Sequence, residues 1–306
     1  MIGHIILLST MEKRKLYGYI SIILSAILWG ASFVWSKGLL NDGFPVFTIV
    51  TIRIIIASVI LLLIFATTKK LEKIRKKDLG VFFLLAFLEP FLYFIGENGG
   101  LKYVSSSFAS MMIALIPIFV AFTMYFVFKE KLRKELLFGV IASILGVVMM
   151  SYGEEETLVS FKGIMLLMLA VLTAAAYSVT LQVLIKRGYG PVTITTWQNI
   201  LALVFFVPCF FIFDFKTSLE LHWTAKNIID LICLGVLCSA GAYGFYSNAA
   251  KMLSVSKIAI FTNLIPVVTI IIAVSVGQES VTLLKALGIL IAVSGVIFSQ
   301  SNIFKK

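Results

Sequence analysis

About ten stretches of this chain are apolar for long enough to cross the hydrocarbon core of a bilayer, and that constrains its fold more than any other feature. A spanning helix needs roughly 17–25 such residues. The stretches run near 17–38, 45–67, 79–98, 104–128, 134–152, 161–185, 191–213, 227–249, 257–277 and 283–301. Lipid offers no partner for exposed backbone groups, so segments of this length close their hydrogen bonds internally as helices. The fold class expected is an all-α membrane protein with ten transmembrane helices. Composition agrees: 60% of residues are hydrophobic, 13% are charged and the mean hydropathy is +1.05, far from a water-soluble balance. The longest polar connection, "KTSLELHWTAKN" at Lys216–Asn227, is too short for a soluble domain, so one membrane domain is expected.

A net charge of +11 would suit a nucleic-acid surface, but its distribution points elsewhere. With the amino terminus placed in the cytoplasm, nineteen Lys and Arg fall in cytoplasmic segments, six of them in "KKLEKIRKK" and four in "KEKLRK". Six fall on the opposite side, at Lys37, Lys102, Lys162, Lys216, Lys226 and Lys285. That bias predicts a multi-pass protein of the cytoplasmic membrane with both termini, 1–16 and 302–306, inside. No nucleic-acid partner is expected.

The passage "KYVSSSFASMMIALIPIF" from Lys102 returns as "KMLSVSKIAIFTNLIPVV" from Lys251, 149 residues later. At that separation Ser105, Ser107, Pro117, Glu130, Gly139 and Gly146 meet Ser254, Ser256, Pro266, Glu279, Gly288 and Gly295. Pro45 meets Pro191 at 146 and Asn98 meets Asn248 at 150. The chain therefore reads as two copies of one five-span unit, 17–152 and 161–301. A unit that crosses an odd number of times inserts its second copy upside down, so Lys102 and Lys251 should face opposite sides. Inverted repeats of this kind commonly surround a central site opened alternately to either face.

These residues, with "LWGASFV" in the first span, resemble the EamA family of the drug/metabolite transporter superfamily over essentially the whole chain. The resemblance implies a ten-helix fold of inverted five-helix halves that carries small organic solutes. Its members span amino acids, sugars, cofactors and drugs, so it does not name the cargo.

Arg53 is the sole basic residue well inside a span, where a charge costs roughly 2.5–3.5 kcal/mol on insertion scales. Either it faces a wet cavity and binds an anionic group of the solute, or it ties helices together; the family commonly has Arg here. Glu89, at similar depth in the third span, is a candidate partner of Arg53 or a proton-coupling carboxylate, and the resemblance does not supply it. Glu97, nearer the end of that span, is expected to meet water. Amides and aromatics complete the candidate lining: Trp29, Tyr93, Asn98, Tyr103 and Tyr177, then Gln182, Trp197, Gln198 and Asn199, and finally Tyr243, Tyr246, Asn248 and Asn263. Amides inside spans face protein or water, while aromatics near span ends also serve as interfacial anchors. One cation, several amides and aromatic walls suit a zwitterionic or anionic metabolite with an apolar body, an amino acid first.

Pro117 and Pro266 are expected near the middle of spans four and nine, as kinks or as hinges. Pro90 and Pro208 are candidate kinks of spans three and seven. Gly139, Gly146, Gly288 and Gly295, with Ser143 and Ala292 between them, put small residues on one helix face, for packing within the chain or for a homodimer. The Ser105–Ser107 and Ser254–Ser256 clusters read as helix caps.

No cofactor, metal centre or catalytic residue is expected. The two histidines, His4 and His222, lie outside the spans, and Cys209, Cys233 and Cys238 are scattered through apolar ones. An enzyme is disfavoured by the lack of a His-Glu-x-x-His or phosphate-loop motif. A passive channel or a receptor is the remaining alternative to a secondary transporter.

Overall fold

The computed structural model describes residues 2–68, 71–129, 160–253, 261–280 and 282–300, with single helical positions at 138–139, 141–142, 145–146, 148–149 and 258. Glu130, Ser143, the Ser254–Ser256 cluster and the terminus 302–306 lie outside the described residues. The described residues form helices and no strand. In chain order these are α1 (Ile2–Asn41), α2 (Val46–Thr68), α3 (Leu79–Ala86), α4 (Tyr93–Leu101), α5 (Ser106–Ile113), α6 (Ile116–Phe128) and α7 (Phe161–Lys186). Then follow α8 (Pro191–Cys209), α9 (Phe215–Leu219), α10 (Ala225–Cys233), α11 (Tyr243–Met252), α12 (Leu264–Ser275) and α13 (Leu283–Gln300).

Seven helical segments among the described residues are long and apolar enough to cross a membrane, and α12 and most of α13 are shorter apolar helices. Phe211, Ile212, Phe213 and Leu290 face outward, an arrangement that lipid would cover and water would not.

The helix boundaries follow from local chemistry. The Ser105 hydroxyl accepts from the Phe108 amide at 3.1 Å and starts α5, as the capping expectation required. Thr224 and Asn227 form a reciprocal capping box at the start of α10, satisfying two donors that would otherwise be orphaned. Pro117 does not sit inside a continuous helix. The fourth span breaks at Ala114–Leu115, and Pro117 lies in the first turn of α6, where its missing N–H has no helical partner to lose. Pro266 likewise falls in the first turn of α12. The expected mid-span kinks are thus helix restarts.

Small residues allow the closest crossings. A side chain at Gly96 would meet the Leu166 carbonyl at 2.5 Å, so α4 lies directly against α7. One at Gly146 would meet Ala292 and the Gly288 carbonyl, each at 2.5 Å. The glycine face of span five is therefore filled by α13 of the same chain.

The two ends of the bundle are tied differently. At the end where α1 starts, Arg14 reaches the Lys251 carbonyl at 3.4 Å. There the buried Asp78 accepts from Arg75, Arg187 and Tyr189 at 2.6, 2.5 and 2.8 Å. The Asp78 hydrogen bond raises the Arg75 pKa above its ordinary value. At the other end, the Lys37 ammonium donates to the carbonyls of Leu101 and Val104 at 2.9 and 2.8 Å. Glu279 there accepts from the Ser107 amide at 2.9 Å and pairs with Lys285 at 2.6 Å. Arg14 and Lys37 are separated along α1 by about 35 Å at 1.5 Å per residue. Lys251 and the Leu101–Val104 corner that carries Lys102 consequently lie at opposite ends of the bundle.

Candidate functional site

Between these ends lies one polar cavity. Arg53, on α2, is 1% exposed. Its Nε donates to the Ser239 hydroxyl at 2.9 Å, and its guanidinium stands 4.1 Å over the Phe94 ring. Its Nη1 has no hydrogen-bond partner. A buried charged donor in that state is costly unless a ligand or water meets it, so this nitrogen is the clearest mark of a binding position.

Glu89 lies in the Phe87–Leu92 segment that interrupts the third span, with φ −148° and ψ 121° and a cis peptide to Pro90. A residue before proline is steered from the helical region to extended backbone, which turns Glu89 out of the helix line. Its carboxylate accepts from the Tyr243 hydroxyl at 2.6 Å. The expected Arg53–Glu89 pair does not form: among the described residues neither side chain is in an ion pair. Equal depth on two helices fixes height but not facing direction, and Ser239 takes the place beside Arg53.

Glu97 was expected to meet water and does not. It is 5% exposed, lines the same cavity, and accepts from the Tyr93 hydroxyl and the Asn98 amide, each at 3.2 Å. Glu97 and Arg53 thus line the same cavity. The signal that would have found it was in the sequence: Glu89, Tyr93 and Glu97 recur every four residues, a spacing that stacks side chains along one helix face.

The remaining wall is aromatic. The Trp29 ring meets Tyr243 edge-on at 5.1 Å and Tyr246 at 5.3 Å, and Tyr177 lies 6.4 Å from both tyrosines. Tyr177 donates to Gln198 at 3.1 Å, and Tyr246 shares a hydrogen bond with Ser178 at 3.2 Å. Ser32, Ile113, Ile116, Thr262 and Ile265 close the space. The cavity has about 30 Å³ of room for water-sized spheres, enough for about two or three waters at about 10–15 Å³ each. Admitting a metabolite therefore requires the walls to part. The restarts at Ala114–Leu115 and at Thr262–Asn263 border the cavity through Ile113, Ile116, Thr262 and Ile265.

A family model described as the EamA-like transporter family matches residues 16–152 and again 161–300. The chain belongs to that family. This EamA-like protein is 25% identical over 293 residues to Uncharacterized transporter YetK of Bacillus subtilis, covering 93% of this chain and 87% of that one. It is 28% identical over 297 residues to Uncharacterized transporter YdfC of the same organism, with 96% and 94% covered. An uncharacterized transporter of Archaeoglobus fulgidus is 29% identical over 272 residues, with 88% and 94% covered. A solved crystal structure superposes with a TM-score of 0.68 at 15% identity, covering 94% of this chain and 96% of that one, and shares the fold. The protein is thus a multi-pass membrane transporter built of two family repeats.

Within this EamA-like transporter, Trp29, Arg53, Glu89, Tyr93, Tyr177 and Tyr243 of the expected lining come together around the cavity. The amides do not join that wall. Gln182 donates to the Ala250 carbonyl at 3.2 Å and Asn248 to Ser21 at 3.0 Å. Asn98 supports Glu97, and Asn199 donates to the Thr195 carbonyl at 2.8 Å. Trp197 leaves the centre altogether, its indole N–H reaching the Glu72 carbonyl at 3.3 Å. Asn263 is buried in the turn before α12 with both amide atoms unpartnered. Amides inside a bundle bond to their own helix or to a neighbouring one as readily as to a solute, so residue type alone did not separate the two uses.

Proposed function

We propose that this transporter is a ten-helix carrier of two inverted five-helix repeats that exports a small organic metabolite, an amino acid first, across the cytoplasmic membrane by alternating access, with both termini in the cytoplasm. The inverted reading is supported by the positions of Lys251 and the Lys102 corner at opposite ends of α1. The observation that carries the solute is the unpartnered Arg53 Nη1 in one closed cavity with Glu89. A guanidinium nitrogen awaiting an acceptor and a carboxylate within the same aromatic walls match the two ends of a zwitterion. Pro117 and Pro266 then mark the hinges, because each restarts a helix beside the cavity.

The test is counterflow of radiolabelled amino acids in sealed proteoliposomes. A carrier gives saturable uptake stimulated by the same solute trapped inside; flux that rises linearly with concentration would establish a channel. Right-side-out and everted vesicles separate export from import. Arg53→Gln should lose solute binding with its unfolding temperature kept, and a variant that only unfolds would make Arg53 a structural tie.

A further inference from the structure

Counted with both glutamates ionised, the charges that the described residues bring to the cavity do not balance. Among the described residues that line it, Arg53 is the sole cation and Glu89 and Glu97 are both carboxylates. All three are nearly sealed from solvent, at 1%, 5% and 5% exposure. Burying a charge without compensation is expensive, so the preferred occupant brings the total toward zero. A neutral amino acid leaves the filled site with one negative charge in excess, an acidic one leaves two, and a basic one leaves none.

Resting on the amino-acid reading above, we infer that the solute carries one net positive charge: its carboxylate on Arg53 Nη1, one ammonium on Glu89, and a second cationic group against Glu97 and the aromatic wall. Two independent features agree with that division. The Arg53 Nη1 donor is buried and unpartnered beside the carboxylates, so the acidic cluster is one pole of a bipolar site. The rings of Trp29, Tyr177 and Tyr246 line the same cavity, and an aromatic ring can offer a cation a second form of stabilisation through its quadrupole. Glu97 is thereby a specificity-determining residue, and the carboxylate count selects the charge class of the cargo.

The experiment is calorimetric titration of the purified full-length protein in zwitterionic nanodiscs with three probes: L-lysine, L-leucine and L-glutamate. L-lysine should bind at least about tenfold more tightly than L-leucine, and L-glutamate should give no heat. Glu97→Gln, which keeps an acceptor for Tyr93 and Asn98 while removing the charge, should erase or invert the lysine preference. Glu97→Asp should retain it and controls for a fold defect. Leucine equal to or tighter than lysine in the wild type, with or without proton uptake, overturns the inference and leaves the amino-acid reading standing. An unchanged ratio in Glu97→Gln also overturns it. Silence from all three probes overturns the amino-acid reading itself.

Discussion

The third span of the first repeat and its counterpart in the second share a frame and differ in chemistry. At the separation of 150 that joins Asn98 to Asn248, Glu89 meets Ser239, Tyr93 meets Tyr243 and Glu97 meets Ser247. At the separation of 146 that joins the two N-terminal prolines, Arg53 meets Asn199. Both third spans leave regular α geometry at the corresponding place, Phe87–Leu92 in one and the widened Leu234–Ala242 stretch in the other. Such interruptions recur at functional sites. Yet every charged side chain that the described residues bring to the cavity comes from the first repeat. The second supplies neutral groups that hold those charges: Ser239 accepts from Arg53, and Tyr243 donates to Glu89. The two copies share a frame, while the charged groups that line the cavity lie in one and neutral partners of Arg53 and Glu89 in the other.

That division can be attacked residue by residue. Arg53→Asn, which gives the first repeat the residue of the second, should have the largest effect. Removing one pole of a buried charged site costs about 2–5 kcal/mol, so titration or counterflow should show solute affinity reduced by a hundredfold or so. Gly146→Leu tests the shared frame instead of the chemistry. A side chain forced onto Ala292 and Gly288 should destabilise the packing of span five on α13 by about 3 kcal/mol, seen as a lower unfolding temperature in detergent.

The twin tyrosines sharpen the comparison, since Tyr243 holds Glu89 at 2.6 Å and Tyr93 holds Glu97 at 3.2 Å. Tyr243→Phe should weaken solute binding by about 2 kcal/mol. Tyr93→Phe should do less, because Asn98 also donates to Glu97; equal losses would deny the asymmetry between the two carboxylates. The smallest effect expected is from Ser105→Ala, which removes the cap of α5. It should cost about 1 kcal/mol of stability and leave affinity unchanged, as measured by thermal unfolding with and without solute.

Much of this was legible in the sequence, for identifiable reasons. The insertion cost of Arg53 had to be offset by something specific, which left a wet cavity and a tie between helices both open. The repeat was legible because residues such as Ser105, Pro117, Pro266 and Gly146 sit where caps, helix restarts and close crossings demand particular residue types. Ser178, Ser32 and Thr262 had no such mark, for small hydroxyls are common in membrane helices and satisfy themselves on their own backbone. Trp197 was misread for the opposite reason: a large aromatic near a span end fits a cavity wall and an end contact equally well, and only its bond to the Glu72 carbonyl separates the two.

The sequence by itself determined that the backbone must hide in lipid, which passages are copies and how much an internal charge would cost, because those depend on composition and on spacing along one chain. Only the tertiary structure decided which groups meet. Whether Arg53 faces Glu89 or Ser239, and whether Glu97 faces water or the cavity, depends on the rotation of each helix about its own axis. That rotation is set by packing against neighbours from the other repeat, as where Gly96 lets α4 settle onto α7, and no local pattern records it.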